Sequence, residues 1–290
     1  MGEPIEGDAL QAIVGERGVG ALLNAGALRS VGPELWVLAA RLLPMRSIVT
    51  LLPDNSVGSE TVYFGPDTVL LFELVWKQAG VGDRAVDLGT GNGLLAAALA
   101  TRFDHVVAVD LSARCAAAAG LVPTLNPQLR GRYSVARCDV ARGLREGCFD
   151  LVVANPPWVP GLIGGAAGTV FAAGGPTGYE LPQRFVDMAA QLLAPGGRAF
   201  VVGVALELSD GRQPLADHVR VLRARGAVVE VIPTRLNSKV DMVAWASDHD
   251  VKAVRAEHVV IRVDRPVHGM IQPHDRLGPP ESNVGVSTAV

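Results

Sequence analysis

The stretch between positions 84 and 100 constrains the fold more than any other part of the chain. It reads Arg-Ala-Val-Asp-Leu-Gly-Thr-Gly-Asn-Gly and continues Leu-Leu-Ala-Ala-Ala-Leu-Ala. The apolar run that ends at Asp87 predicts a buried strand, and the helix formers from Leu94 to Ala100 predict a helix. The glycines therefore lie in a strand-to-helix turn, where a ligand can contact the backbone and the unpaired N–H groups of the new helix. The alternative is a glycine-rich turn without a ligand.

Two later strands are also predicted to end in an acidic residue, one at Asp110 and one at Asp139. Parallel strands place their carboxyl ends at one edge of an open α/β sheet, where ligands bind. The Asp110 carboxylate can accept both hydroxyl protons of a ribose, and the alternative is a cap for the following helix, for which Ser112 is the more natural residue. Asp139 is either a ligand residue or a solvated turn residue.

A second motif follows the short apolar strand from Leu151 to Ala154 and reads Asn155-Pro156-Pro157-Trp158. The prolines fix the backbone and remove donors, so the loop is stiff and offers the carbonyls of Asn155 and Pro156 as acceptors. Such acceptors can hold the N–H bonds of an amide or aromatic amine and turn its lone pair toward a methyl donor. Trp158 would stack on the planar group. The alternative is a rigid turn that closes the strand.

Together these motifs resemble the class I S-adenosylmethionine-dependent methyltransferases. The Gly-x-Gly-x-Gly spacing after an acidic residue is similar to their first motif, and Asn-Pro-Pro-aromatic is similar to the fourth motif of the enzymes that methylate amino groups. The Pro-Asp-Thr sequence at positions 66–68 and the Gly-Gly-Pro-Thr-Gly loop at 174–178 resemble segments of the HemK-like release-factor glutamine methyltransferases. The resemblance covers about residues 62 to 205.

The resemblance implies a Rossmann-like α/β fold with a seven-stranded, mostly parallel sheet, behind a small N-terminal helical region. It implies S-adenosylmethionine as cofactor, with Asp87 facing its amino-acid part, Asp110 its ribose and Asp139 its adenine. Asn155 and Pro156 would be catalytic, and Pro157 and Trp158 would contact the substrate. The cofactor residues on this interpretation are Asp67, Thr68, Asp87, Gly89, Thr90, Gly91, Gly93, Asp110, Leu111, Asp139, Val140 and Asn155.

The expected activity is methylation of a planar nitrogen in a protein glutamine or a small molecule. The alternatives are an O- or C-methyltransferase of specialised metabolism, in which Asn155 is only structural, an rRNA base methyltransferase, and a non-catalytic cofactor-binding partner protein. Trp158 stands where the glutamine-modifying enzymes usually have Tyr, and Gly203 stands where they tend to carry Glu. These departures predict an acceptor pocket of different shape.

Composition excludes several classes of function. The net charge is −3 without a Lys/Arg-rich run, which disfavours nucleic acid as a partner. No apolar stretch reaches membrane-spanning length, and the acidic N-terminus lacks the features of a signal peptide, so the sequence predicts a cytoplasmic protein. The cysteines at 115, 138 and 148 form no Cys-x-x-Cys pair and the six histidines are scattered, so we expect reduced thiols and no metal site.

The chain divides on sequence into three parts. Residues 1–60 are predicted to be a helical and hairpin region, because apolar residues such as those from Leu35 to Leu42 recur at helical spacing. The family resemblance implies that this region binds substrate. The hairpin would pair Ser47–Leu52 with Thr61–Phe64. Residues 61–265 are the predicted core, in which Asp67 or Thr68 caps the first helix. Residues 266–290, rich in Pro, Gly and Ser, are expected to form a disordered tail.

Overall fold

A computed structural model describes residues 4–54, 61–160, 173–234 and 252–267 of the chain. The N-terminal part contains one helix, which is kinked at Gly15 where φ is 71°, and several short strands. In chain order its elements are β1 (Ile5–Glu6), α1 (Gly7–Asn24), β2 (Leu28–Gly32), β3 (Leu35–Leu38), β4 (Ala40–Met45) and β5 (Ile48–Pro53).

The predicted helix from Leu35 to Leu42 is wrong, because this segment forms β3 and the start of β4. Strand β2 ends at Gly32, the connection to β3 consists of Pro33 and Glu34, and Glu34 takes a left-handed φ of 57°. This tight turn allows β2 and β3 to pair as antiparallel neighbours. Pairing across the turn thus overrides the helical spacing of the apolar residues.

The predicted pairing of Ser47–Leu52 with Thr61–Phe64 is also wrong. The first segment does form a strand, β5, but it pairs with β4 in antiparallel register, with Met45 opposite Ile48. Only two residues connect these strands, and Arg46 takes a φ of 55° to make the turn. A connection this short costs less chain entropy than the longer loop the prediction required.

The larger part of the chain alternates helices with strands. Its first half contains α2 (Pro66–Gln78), β6 (Gly82–Leu88), α3 (Leu94–Ala100), β7 (Phe103–Asp110), α4 (Ala113–Gly120), α5 (Val122–Leu125), β8 (Tyr133–Arg137) and β9 (Phe149–Ala154). Its second half contains β10 (Val159–Pro160), β11 (Ala173–Gly175), α6 (Glu180–Leu192), β12 (Leu193–Leu208), α7 (Pro214–Ala224), β13 (Val228–Pro233) and β14 (Ala253–Asp264).

These strands form a seven-stranded sheet in the order β13-β14-β12-β9-β6-β7-β8. The five strands from β12 to β8 in this order are parallel, whereas β14 is antiparallel to both of its neighbours. The sheet prediction is therefore confirmed, as are the strands that end at Asp110 and Ala154. The order reverses direction between β6 and β9, which is the position where open α/β sheets bind ligands.

Two apolar layers cover the two faces of this sheet. Leu151 and Val153 of β9 pack with α2 and α3 on one face, and Val152 and Ala154 pack with α6 and α7 on the other. This alternation is the period of two that a strand imposes on its side chains. Since both faces of β9 are buried, its near-continuous apolar sequence is explained.

The N-terminal elements pack directly on the core. Ile48 of β5 is fully buried within the apolar layer that contains α2 and α3. The buried Arg114 of α4 donates to the carbonyl oxygens of Ala25 at 3.1 Å and Asp54 at 2.7 Å. Asn126 exchanges two hydrogen bonds with the backbone of Val49. The division of the chain near residue 60 remains a prediction.

Helix α2 begins differently from the prediction, because its N-cap residue is Gly65 rather than Asp67 or Thr68. The Thr68 hydroxyl accepts instead from the Gly65 N–H at 3.5 Å.

None of the helices in the described ranges is long and apolar enough to cross a membrane. Nearly all of the predicted tail lies outside the described residues.

Candidate functional site

The glycine turn joins β6 to α3 in the conformation that the sequence predicts. Gly89, Gly91 and Gly93 have φ values of 72°, 58° and 81°, in the left-handed region that favours glycine. A Cβ atom on Gly93 would lie 2.5 Å from the hydroxyl oxygen of Tyr133 and 3.1 Å from Cα of Ala119. Gly93 is therefore required for close packing behind the turn.

Asp87 lies underneath this turn and is fully buried. Its Oδ2 accepts from the Thr90 hydroxyl at 2.6 Å and from the Ala96 N–H at 3.1 Å, so the carboxylate holds the turn against the start of α3. Its Oδ1 has no hydrogen-bond partner in the part of the chain that the structure describes. Burial raises the pKa of Asp87 to about 7, against the lowering effect of the bonds from Thr90 and Ala96.

A large cavity of about 470 Å³ opens above the glycine turn, at the carboxyl ends of β6, β7 and β8. Its volume is within the range of about 300 to 1,000 Å³ that is typical of small-molecule sites. Most of the predicted cofactor residues line it, namely Thr68, Gly89, Thr90, Gly91, Asp110, Leu111, Asp139, Val140 and Asn155. Asp67, Asp87 and Gly93 do not line the large cavity, and their contact with a cofactor remains a prediction.

Asp110 joins the glycine turn to the next strand. Its Oδ2 accepts from the Gly91 N–H at 2.9 Å, and its Oδ1 accepts from the Ser112 N–H at 2.9 Å. Ser112 caps α4, as predicted, through its hydroxyl and the Cys115 N–H. Asp139 lies at the rim, half-exposed and 3.6 Å from a guanidinium nitrogen of Arg184.

A small cavity of about 70 Å³ adjoins the large one and is lined by Tyr63, Asp67, Asn155, Pro156, Pro157, Trp158 and Val159. Tyr63, Asn155 and Pro157 line both cavities. Asn155 follows the last residue of β9 and thus lies at the boundary between the two. The predicted catalytic and substrate residues are therefore next to the predicted cofactor residues.

The buried carboxylate of Asp67 connects the residues of the small cavity. Its Oδ1 accepts from the Tyr63 hydroxyl and from the Thr68 N–H, each at 2.8 Å. Its Oδ2 accepts from Asn155 Nδ2 and from Trp158 Nε1, each at 3.2 Å. Burial and the neighbouring Asp67 charge raise the pKa of Tyr63, which keeps its hydroxyl a donor.

These contacts fix the orientation of the Asn155 side chain. Its Nδ2 group donates to Asp67 Oδ2 and, at 3.1 Å, to the Thr68 hydroxyl oxygen. The opposite atom, Oδ1, is buried and accepts no hydrogen bond from any residue that the structure describes. A buried carbonyl oxygen without a donor is costly, so an incoming N–H group would be bound favourably there.

Trp158 is held on two sides. Its Nε1–H donates to Asp67, and its ring makes an edge contact with His258 at a centroid separation of 5.1 Å. The Thr234 hydroxyl lies 2.8 Å from the His258 Nδ1 and 3.1 Å from the His258 carbonyl oxygen, so it holds both the ring and the backbone of His258. Burial lowers the pKa of His258 to about 4, although the Asp67 charge acts in the opposite direction.

Sequence reasoning missed Tyr63 and His258. Tyr63 was assigned to a strand, and nothing in its local pattern indicates a partner four positions later. His258 had a signal, because a histidine directly before the apolar run Val259-Val260-Ile261 of β14 is expected to place its ring close to the core. Among the described residues, no group of His, Cys, Asp and Glu side chains is arranged to hold a metal ion.

Residues 64–225 match the methyltransferase small domain family. A release factor glutamine methyltransferase of Bradyrhizobium diazoefficiens is 30% identical over 184 residues, which cover 58% of this chain and 56% of that protein. A tRNA1(Val) (adenine(37)-N6)-methyltransferase of Pasteurella multocida is 37% identical over 103 residues, which cover 33% and 41% respectively. The chain thus spans about half the length of these curated relatives.

Among solved structures, Trm5b from Pyrococcus abyssi superposes with a TM-score of 0.53 at 16% identity, covering 82% of this chain and 62% of that one. This similarity establishes the fold. Together, the fold and the family match define a class I methyltransferase domain. Because residues 64–225 are more than half of the chain, the protein belongs to the methyltransferase small domain family.

The large cavity fits S-adenosylmethionine in its chemistry. The left-handed glycines Gly89 and Gly91 leave space where a Cβ would project, and the Asp110 carboxylate can accept ribose hydroxyl protons. The side chains of Leu111, Val140 and Phe185 supply apolar surface for an adenine ring. The cavity ends at Asn155, next to the small cavity.

Proposed function

We propose that this protein methylates a planar nitrogen, with Asn155 and Pro156 holding the acceptor in the small cavity. The observation that carries this proposal is the buried, unpaired Oδ1 of Asn155, a residue that lines both cavities. An amide or aromatic amine offers N–H groups, and a hydrogen-bond donor is what Asn155 Oδ1 lacks among the described residues. A carbon acceptor would leave it unpaired, and a hydroxyl would offer a single O–H donor where a planar NH₂ group offers two N–H donors.

The residues of the small cavity would prepare the acceptor nitrogen. Asn155 Oδ1 and the Pro156 carbonyl can each accept one N–H, which fixes the plane of the group and turns its lone pair away from the acceptors. Trp158, whose ring is held by Asp67 and His258, can cover one face of that plane. S-adenosylmethionine supplies an electrophilic methyl group when bound. No strong base is required, because the nitrogen becomes far more acidic once its lone pair is bonded.

The residues of the large cavity would hold the cofactor. In this proposal, Asp110 accepts the ribose hydroxyls, Val140, Leu111 and Asp139 surround the adenine, and the glycine turn contacts the remainder of the molecule. Thr68 and Thr90 line the same cavity. Asp87 and Gly93 do not line this cavity and would instead maintain the conformation of the glycine turn.

The size of the small cavity favours an amide over a purine. Its volume is about 70 Å³, against about 470 Å³ for the large cavity. A carboxamide has three heavy atoms beyond its stem, whereas a purine has about three times as many. A protein glutamine, as in the name of the Bradyrhizobium relative, therefore suits the cavity better than the adenine in the name of the Pasteurella relative.

A transfer assay with radiolabelled S-adenosylmethionine tests the proposal. Purified release factor, unmodified tRNA and a small-molecule extract are offered separately, with Asn155→Ala as the control. Label in release factor, or in an amide or amine of the extract, that is lost in the variant supports the proposal. Label on an oxygen or carbon atom, or label that Asn155→Ala transfers normally, contradicts it.

A further inference from the structure

We propose that Asp67 is a positioning residue that sets the orientation of the Asn155 amide and of the Trp158 ring, and that it is not a cofactor ligand. The resemblance to HemK-like enzymes led to the opposite expectation for Asp67. Only the identity of the group that Asn155 Oδ1 binds rests on the proposed function. The orientation itself is a property of the protein alone.

The Asp67 carboxylate has no free hydrogen-bonding capacity for a cofactor. An ionised carboxylate has about four lone-pair directions. The donors Tyr63, Thr68, Asn155 and Trp158 supply four hydrogen bonds to Asp67, two on each oxygen. Asp67 is buried, and it lines the small cavity but not the large one. No acceptor position remains for a cofactor hydroxyl or ammonium group.

The Asp67 carboxylate also determines which way the Asn155 amide points. A carboxylate has no proton to donate, so only the NH₂ side of Asn155 can face Asp67. Reversal of the amide would bring two acceptor oxygens to the 3.2 Å separation that Nδ2 and Oδ2 now have. The Thr68 hydroxyl alone would not fix the orientation of the Asn155 amide, because a hydroxyl can either accept or donate a hydrogen bond. The Asp67 charge therefore directs Oδ1 of Asn155 away from Asp67.

Asp67 Oδ2, which accepts from Asn155, also holds Trp158. The indole Nε1–H of Trp158 and the NH₂ group of Asn155 both donate to Asp67 Oδ2. One atom therefore positions both the Asn155 amide and the Trp158 ring. Their relative placement is fixed before any acceptor binds. Preorganised contacts of this kind act in catalysis without a reorganisation cost at the time of reaction.

Nuclear magnetic resonance of the full chain tests the inference without an acceptor. Asn155→Ala identifies the side-chain NH₂ signals of Asn155, and Trp158→Phe identifies one of the four indole N–H signals. We expect slow solvent exchange of the Asn155 NH₂ protons in the wild type. In Asp67→Asn we expect that exchange to accelerate about tenfold and the Trp158 indole proton to shift upfield, as loss of a charge-assisted bond implies.

Cofactor binding distinguishes this role from that of a ligand. The dissociation constant of S-adenosylhomocysteine, measured by calorimetry, should change less than about threefold in Asp67→Asn, since one lost direct contact typically costs about tenfold or more. Asp150→Asn is the matched control, because Asp150 accepts from two backbone N–H groups near the opposite end of β9. It should leave both measurements unchanged.

Two results would overturn the inference. One is fast exchange of the Asn155 NH₂ protons in the wild type, a measurement that holds even if Asp67→Asn does not fold. The other is a large loss of S-adenosylhomocysteine affinity in Asp67→Asn with unchanged Asn155 signals, which would make Asp67 a cofactor ligand. If the resonance results are as expected but no nitrogen is methylated, the proposed function fails and the positioning role stands.

Discussion

The side-chain nitrogen of Asn155 lies 3.2 Å from the Asp67 carboxylate, although 88 positions separate the two residues in sequence. One belongs to the loop after β9 and the other to the first turn of α2. Their contact leaves the Asn155 carbonyl oxygen directed away from Asp67, buried and without a donor among the described residues, in a residue that lines both cavities. The chemistry proposed for the site depends on this pair.

Replacement of Asn155 by Ala should reduce methyl transfer by a factor on the order of 10² to 10³, because it removes a preorganised acceptor for the N–H group. The rate is measured with radiolabelled S-adenosylmethionine and the acceptor found by fractionation. Affinity for S-adenosylhomocysteine should persist, since many other residues line the large cavity. Near-normal turnover by a variant that binds the cofactor would mean that Asn155 is structural.

Replacement of Gly93 by Ala should destabilise the protein more than the same change at Gly131. Both glycines are left-handed, with φ of 81° and 82°, so each substitution costs about 1–2 kcal/mol from backbone strain. At Gly131 nothing lies within 4 Å of the new methyl group, whereas at Gly93 it meets Tyr133 and Val122. Overpacking should add about 1–3 kcal/mol.

Urea unfolding measures this difference between the two glycine variants. The double variant Gly93→Ala with Tyr133→Phe removes the hydroxyl oxygen that lies 2.5 Å from the new Cβ position, so part of the loss should be recovered. Equal free energies of unfolding for the two single variants would show that the region behind the turn adapts without cost.

The Asp87 carboxyl should make stability depend on pH. Its folded-state pKa of about 7 lies above its ordinary value of 3.8, so the folded protein binds the proton more tightly. This contribution to the free energy of unfolding is fully present below pH 3.8 and is lost as pH rises to about 7. The stability of the wild type relative to Asp87→Asn should therefore fall by up to about 1.4 kcal/mol per pH unit in that window.

The comparison with Asp87→Asn is necessary because His258 acts in the opposite sense. Its pKa falls from 6.5 to about 4, so its contribution to stability is lost as pH decreases through that interval. The two groups offset each other in the wild type, and the difference between wild type and variant isolates Asp87. A difference that stays constant from mildly acidic to neutral pH would mean that Asp87 is ionised throughout.

Replacement of Arg114 by Ala should loosen the N-terminal elements from the core. Its guanidinium donates to the carbonyls of Ala25 and Asp54, which would be left without these bonds. Loss of a charge-assisted bond typically costs about 1.5–3 kcal/mol. Hydrogen exchange should accelerate in β4 and β5 while the sheet remains protected.

Arg130→Ala is the control for this experiment, because Arg130 is exposed and makes a weaker bond of 3.3 Å to the Pro123 carbonyl. It should leave the exchange of β4 and β5 unchanged. Uniform acceleration over the whole chain in Arg114→Ala would indicate that the N-terminal elements and the core unfold together rather than separately.

Local sequence was sufficient for the central sheet and for much of the site. The helix predicted from Leu94 to Ala100 has the bounds of α3, because helix formers and preceding glycines act over a few residues. It was insufficient for the segment from Leu35 to Leu42, where apolar spacing fits a helix, and for the partner of β5. Tight turns at Glu34 and Arg46 decide both. Left-handed turns at residues other than glycine have a weak sequence signal.

The sequence by itself determined the glycine turn, the buried strands and the stiff Asn-Pro-Pro-Trp loop, because each follows from backbone preferences of neighbouring residues. The tertiary structure alone decided that Asp67 faces Asn155 and Trp158 rather than the large cavity, and that Asp87 is buried behind the turn. These placements depend on how α2 packs against the sheet. Such contacts join residues far apart in the chain, so no local pattern encodes them.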